Sequence, residues 1–565
     1  MAVPPIQATG LTVLGRVNRL PLLLDVVVGL LTALALPLAI VAIPNTISVV
    51  SALLPPDIAG VGILRAHGLA LPVMLCAVPL TAAALGRFAP APVLVAGLAL
   101  LAVADVAGGF AGSTVAVGVL RVLHGVAAGV LVPATFAACR ERPGAARGVL
   151  MPIWAASLAV AFLAAQALAL WPLDQVTSWR VTLQPYPLLT GVALVLAAAY
   201  FTVTRLTRHG EARRAEQDAP EGSPGLEAAD GDGGAQVSVS GGVRGLACTV
   251  GPSAGIAVLA FGTTFGWPPG LIVVVAAAAV VALLAAAFAG RVDGAGGRVV
   301  ALVMIAVGLV VLPTSAQLTY VELGGLGGPG LSGLWVPFGL AALLTFVAAS
   351  AVGRLGEAQL PKLVGAGLVT MVVGLCAIRL LAPTASGMPL VVPFTLMAGG
   401  AAVAVVSALR GVSLSGALFG LSLCFPAVLS GFLLGTGVQV DRLRAVSMSG
   451  QVTSEAMVDG FVGALHVWAL VAGFAVVIIL VLGAVLATRT AERAMDALPP
   501  VAPVSPDDDA RDVAEEPQPV AEGVVSGADD GPDPGTVMIP VVPAPTRSPE
   551  AGAGADGNGD GAGAR

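Results

Sequence analysis

Three features of the sequence predict an all-α membrane protein. Of the 565 residues, 57% are apolar and only 11% charged, where soluble chains run nearer about 45–50% and 25%. Mean hydropathy is +0.95. Fourteen apolar runs each approach the ~20 residues that a helix needs to cross a ~30 Å hydrocarbon core without leaving backbone groups unpaired in lipid.

The runs follow in order near 22–44, 62–84, 92–112, 115–138, 148–170 and 184–205, then 246–266, 269–290, 299–319, 331–352, 364–382, 389–409, 412–436 and 461–487. The first is longer than a signal-peptide core and has no A-x-A pattern behind it, so it is expected to be a retained helix. The odd-numbered connections carry few cations, chiefly Arg180, Arg442 and Arg444. The even-numbered ones carry Arg87; Arg140, Arg142 and Arg147; Arg205, Arg208, Arg213 and Arg214; Arg291 and Arg298; Arg354 and Lys362; and Arg410. Because basic loops stay on the cytoplasmic side, both termini are expected to be cytoplasmic in a plasma-membrane protein. Trp171, Trp179, Trp267 and Trp335 then share the outer headgroup level.

Residues 206–244 mix Glu, Asp, Gly, Ser and Arg without apolar periodicity and read as a cytosolic linker. The net charge of −6 is unevenly placed. Residues 499–565 hold 13 acids and 3 arginines, for −10, which leaves the first 498 residues at +4. This Pro-, Gly- and Asp-rich tail is too poor in large apolar residues to offset the entropy of ordering, so residues 488–565 are expected to form a disordered acidic cytosolic tail, a surface open to a cytosolic partner. Neither part has the clustered basic footprint of a nucleic-acid binder. The five cysteines show neither C-x-x-C nor His spacing, so no disulfide framework and no metal site is indicated. There is no phosphate-loop, H-E-x-x-H or G-x-S-x-G pattern; an enzyme and a cofactor are not implied.

Ionisable residues within the apolar runs are costly and usually face a cavity or a partner. Asp105 and Arg121 both fall roughly 10 Å below the outer surface at 1.5 Å per residue. Arg65 and His67 enter the second run from the same face, and His124 lies one turn from Arg121. One reading is a polar pocket in which a carboxylate alternates between protonated and paired states. The other is a fixed Asp105–Arg121 or Asp105–Arg65 bridge that sets helix register. Arg379 and His466 read as packing or snorkelling residues, and Asp25 as an interface residue. Gly125 and Gly129 form a G-x-x-x-G pair that permits close helix approach.

Two loops occupy equivalent places in the two halves: LGRFAPAPV from Leu85 to Val93 and GRLGEAQLPK from Gly353 to Lys362. Both resemble the cytoplasmic loop signature of the major facilitator superfamily, G-x-L-x-D-R-x-G-R-R. In the second copy Gly353, Arg354 and Leu355 stand as in the signature and Glu357 takes the acidic place. In the first, Arg87 remains and Gly86 replaces the acid. Gly97 to Ala138 is similar to helices 3 and 4 of the 14-helix drug:proton antiporter branch, with Arg121, Gly125, Gly129 and Pro133 on its R-x-x-Q-G pattern and the small residues that follow, and His124 at the Gln. Ser178-Trp179-Arg180 resembles the opening of that branch's sixth helix. The branch's helix 5 G-P pair is missing from Ala155 to Leu170, and Ala35 stands where its helix 1 acid would be.

The resemblance implies two six-helix bundles, 22–205 and 291–487, with two accessory helices at 245–290 and a cytosolic N-terminus at 1–21. It implies secondary active transport by alternating access: proton-coupled efflux of small amphipathic compounds, as in multidrug resistance. Asp105, Arg121, His124, Arg65 and His67 would then serve proton coupling or line the cavity, and Arg87, Gly353, Arg354 and Glu357 the cytoplasmic gate. The missing signatures leave two alternatives, a transport-inactive scaffold or binding protein and a uniporter or importer without proton coupling.

Overall fold

The computed structural model describes residues 19–44, 60–171, 178–184, 186–217, 242–263, 267–290, 294–323, 329–448 and 453–496. These form α1 (Arg19–Val41), α2 (Gly60–His67), α3 (Ala70–Ala84), α4 (Pro90–Gly108), α5 (Thr114–Arg140), α6 (Gly144–Leu170), α7 (Pro187–Gln217), α8 (Gly242–Thr263) and α9 (Pro269–Ala289). They continue as α10 (Gly294–Leu323), α11 (Gly330–Gly353), α12 (Leu360–Leu381), α13 (Val391–Leu409), α14 (Leu414–Met448) and α15 (Ser454–Asp496). No strand occurs among the described residues.

Thirteen helical stretches among the described residues are long and apolar enough to cross a membrane, α2 and α3 counting as one. The chain is a multi-pass, all-α membrane protein. The remaining expected run, 246–266, is α8, with a shorter apolar stretch at Val250–Ala260. Helix α7 continues through Gln217, into what the polarity of the sequence marks as linker, and α15 runs to Asp496, into the expected tail. The rest of the linker to residue 241, and the tail from residue 497, lie outside the described residues. Local signals set several helix starts: Pro90 and Pro269 each occupy a first helical position, where the missing N–H costs nothing, and the Ser113 hydroxyl caps α5 by accepting from Ala116 N at 3.2 Å.

The helices pack by a scheme that occurs twice. In the first half α1 packs on α5, α6 and α7; α4 on α5 and α7; and α3 on α5. In the second half α10 packs on α13, α14 and α15; α12 on α13 and α15; and α11 on α13. Replacing α1, α3, α4, α5, α6 and α7 by α10, α11, α12, α13, α14 and α15 reproduces every one of these pairs, whereas the packing of α5 on α6 and of α14 on α15 has no counterpart of that extent in the other half. The halves meet where α6 packs on α10, α11 and α13 and where α3 packs on α14. Helix α8 lies on α3 and α14, and α9 on α14. The apolar stretch of α10 is 94% buried, whereas that of α9 is 22% buried, as suits a lipid-facing helix.

Two close approaches explain glycines of the sequence pattern. A Cβ on Gly125 would stand 2.3 Å from Ala70 O, and one on Gly129 would stand 2.4 Å from Ala77 Cβ, so α5 lies backbone-to-backbone against α3. The end of the molecule that carries 84–90, 140–144, 353–360 and 409–414 is called below the arginine-bearing end; the opposite one, where the Trp171 and Trp335 rings stand 4.5 Å apart, is the tryptophan-bearing end.

Candidate functional site

The expected site residues Arg65, His67, Asp105, Arg121 and His124 lie towards the tryptophan-bearing end, on α2, α4 and α5. Asp105 lies on α4, fully buried. Its Oδ1 is 3.0 Å from His124 Nε2 on α5, also fully buried, and its Oδ2 accepts from Thr190 Oγ1 on α7 at 2.7 Å. His124 Nδ1 is 2.8 Å from Leu120 O. Three helices therefore converge on one carboxylate.

The expected arginine bridge does not form. Arg121 is buried, but its Nη1 donates to Ala42 O just past α1 and its Nη2 to Thr182 O, each at 3.2 Å, while Nε has no partner among the described residues. The cause is the 3-10 turn Trp179–Leu183, which folds back over α4 and brings a backbone carbonyl to the guanidinium. His124, one turn further into the membrane, takes the carboxylate instead. His67 is buried with Nε2 3.1 Å from Thr182 Oγ1 and Nδ1 3.1 Å from Ile63 O, its ring edge-on to Trp179 at 6.1 Å. Arg65 is exposed. The five expected residues thus divide into the pair Asp105–His124, a second cluster of Arg121 and His67 around the 3-10 turn, and exposed Arg65.

The partners of His124 fix where a proton must be. A carbonyl oxygen can only accept, so both contacts are hydrogen bonds at once only where Nδ1 carries a hydrogen donated to Leu120 O. Nε2 and Asp105 Oδ1 are then held at 3.0 Å by one proton, as imidazolium against carboxylate or as neutral imidazole accepting from a carboxylic acid. Without that proton the neutral ring can donate to only one of its two acceptors, Leu120 O or Asp105 Oδ1, according to its tautomer.

Sequence reasoning missed Thr182 and Thr190, since hydroxyl residues are common in apolar runs, and it missed Glu322. That carboxylate is buried at the end of α10 and accepts from Thr384 N at 3.2 and 3.3 Å and from Thr384 Oγ1 at 3.5 Å. His466 of α15 lies 3.1 Å from Ala382 O, so both residues hold the turn between α12 and α13. Asp25 pairs with Arg142 at 2.6 Å, an interface contact between α1 and the end of α5. Arg379 is exposed. Of the expected gate residues, Arg87, Arg354 and Glu357 are exposed, and Gly353 packs on α6. A pocket of about 400 Å³ lined by Trp171, Val181, Gln184, Tyr186 and Pro187 contains none of the expected site residues.

No family model and no curated protein matches the chain. Among solved structures it is similar to the human organic anion transporter MFSD10, with 14% identity over 80% of this chain and 99% of that one and a TM-score of 0.46. It is also similar to the proton:xylose symporter XylE, with 12% identity over 81% and 95% of the two chains and the same TM-score.

Proposed function

We propose that this chain is a secondary transporter of the major facilitator kind, in which two six-helix bundles rock about their interface and exchange protons for a small amphipathic compound. The twice-used packing scheme supports the bundle reading, because two equivalent halves meeting along α6–α11 and α3–α14 can exchange one closed end for the other. Helices α8 and α9 are accessory to the bundles. The arginine-bearing end faces the cytoplasm, on the charge bias of its loops, and export is the direction that the antiporter resemblance supports.

The observation that carries proton coupling is the His124–Asp105 contact. One proton holds α4 and α5 together there, Thr190 ties the same carboxylate to α7, and Arg121 sits one turn away as a fixed positive charge. Loss of the proton leaves one of the ring's two contacts unmade at the point where three helices meet. This makes protonation a structural variable rather than a local one, which is what coupling to rocking requires.

The test is proton flux in energised inside-out membrane vesicles challenged with a panel of amphipathic cations and neutral compounds, comparing the wild type with Asp105→Asn and His124→Leu. Substrate-triggered proton release that both changes abolish supports the proposal. Substrate movement that persists in Asp105→Asn and ignores uncouplers assigns a uniporter, and silence across the panel with inserted, folded protein assigns the scaffold alternative.

A further inference from the structure

We propose that Arg140 is a latch that holds the arginine-bearing end closed by capping a helix of the opposite half. The proposal rests on the alternating-access reading and adds to it the residue that stabilises one of its end states.

The last carbonyls of a helix have no intrahelical partner and carry partial negative charge. Arg140, the final residue of α5, donates to the last carbonyl of α13, Leu409 O, at 3.3 Å and, in a shorter contact, to Val412 O in the turn that follows it. Its counterpart in the repeat is Arg410, which follows the last residue of α13. That arginine stays within its own half and donates to Val352 O at 3.1 Å and Leu355 O at 2.7 Å, closing the end of α11.

By the repeat, Arg140 would cap α3 in the same way. The backbone of the first loop caps α3, Leu85 N donating to Thr81 O, Gly86 N to Ala83 O, and Arg87 N and Phe88 N to Ala84 O; that of the second caps α11 with fewer bonds, Arg354 N to Ala351 O and Leu355 N to Val352 O, and Arg410 adds to them. Arg140 crosses the interface instead. The contacts then close on themselves, because a Cβ on Gly353 at the end of α11 would stand 2.6 Å from Pro152 Cγ and 3.1 Å from Gly148 O on α6. Residues 141–143 join α6 back to Arg140. The ring runs α5 to α13 to α11 to α6 and returns to α5, and it cannot open without breaking a link.

This differs from a clamp built on the loop signature. Gly86 occupies the place of that signature's acid, and Arg87, Arg354 and Glu357 are exposed. The clamp of this chain uses a cation on helix-end carbonyls, and the forked geometry of a guanidinium suits a grip on two carbonyls at once.

Hydrogen–deuterium exchange of the full chain in lipid nanodiscs tests the latch without substrate, on wild type, Arg140→Ala, Arg140→Lys and Arg410→Ala. A ring predicts that Arg140→Ala accelerates exchange by at least about tenfold at 141–149, 351–359 and 409–414 together, while 178–184 and 382–390 stay unchanged. Arg410→Ala gives the same three-segment pattern, and Arg140→Lys, which keeps the charge and loses the fork, falls between. Acceleration confined to 409–414 in Arg140→Ala, or to 351–359 in Arg410→Ala, reduces each arginine to a local cap and overturns the latch, as does no change at all. If Arg140→Ala does not fold, Arg140→Lys and Arg410→Ala carry the same discrimination. Concerted opening in a chain that moves no compound across the membrane would retain the latch and sink the transporter reading.

Discussion

Thr190→Val isolates the contact that joins α7 to the buried carboxylate. The change is nearly isosteric, so it opens no cavity, and it removes a 2.7 Å hydrogen bond to Asp105 Oδ2 together with a weaker one at 3.4 Å to Tyr186 O. A hydrogen bond to an ionised acceptor contributes about 1.5–3 kcal/mol, whereas neutral interhelical bonds in membrane proteins average about 0.6 kcal/mol. Asp105→Ala removes the acceptor altogether, so a double-mutant cycle between the two positions measures the coupling and reports the charge state. With Asp105 ionised against an imidazolium, the coupling from unfolding titrations in mixed micelles is about 1.5–3 kcal/mol. With the proton on the carboxylate it falls to about 0.6 kcal/mol. Either value sustains a three-helix contact. A coupling below about 0.3 kcal/mol, within the scatter of independent sites, would refute the claim that Thr190 holds this carboxylate.

Other consequences follow from the packing. Gly125→Ala places a methyl 2.3 Å from Ala70 O, a backbone atom that cannot rotate away, and is expected to cost about 1–3 kcal/mol or more in the same unfolding assay. Gly353→Ala meets Pro152 Cγ at 2.6 Å and Gly148 O at 3.1 Å, so it should lose about 1–3 kcal/mol and accelerate exchange on both α6 and α11, which a purely local perturbation of α11 would not do. Arg121→Met strips the donors from Ala42 O and Thr182 O, at about 1–3 kcal/mol for each carbonyl left buried, and should release residues 179–184 to faster exchange while leaving the arginine-bearing end unchanged.

The helices were legible because lipid leaves the backbone few alternatives: a run long and apolar enough to cross must be helical. The break between α2 and α3 was not legible, because hydropathy runs on through Gly68 and Leu69 while the backbone turns there, Gly68 N donating to Arg65 O. Helices α7, α14 and α15 also outrun their apolar stretches, ending at Gln217, Met448 and Asp496, since a helix emerging from the bilayer can continue in water on its own hydrogen bonds.

At the site, counting residues from the ends of the apolar runs set Asp105 and Arg121 at one depth, although α4 ends at Gly108, three residues past Asp105, and such a count does not separate Arg121 from His124. They differ by about 60° in direction and ~4.5 Å in height on α5, and only the rotation of α5 against α4 selects between them. The turn that occupies Arg121 depends on how Trp179–Leu183 folds, which depth counting does not reach. Glu322 stood beyond the apolar run ending near 319, where a carboxylate reads as an exposed loop residue. Its burial comes from the α12–α13 turn folding over it.

Distance measurements between spin labels at both ends of the reconstituted protein test the central claim most directly, with one pair at Ala145 and Ala358 across the arginine-bearing end and another at Gly112 and Ala385 across the other; all four positions are exposed. Rocking between two access states predicts reciprocal changes, one pair lengthening as the other shortens when pH or transported compound is varied, with Asp105→Asn frozen in one distribution. Distances at the two ends that stay fixed under every condition, or that lengthen together, would contradict it.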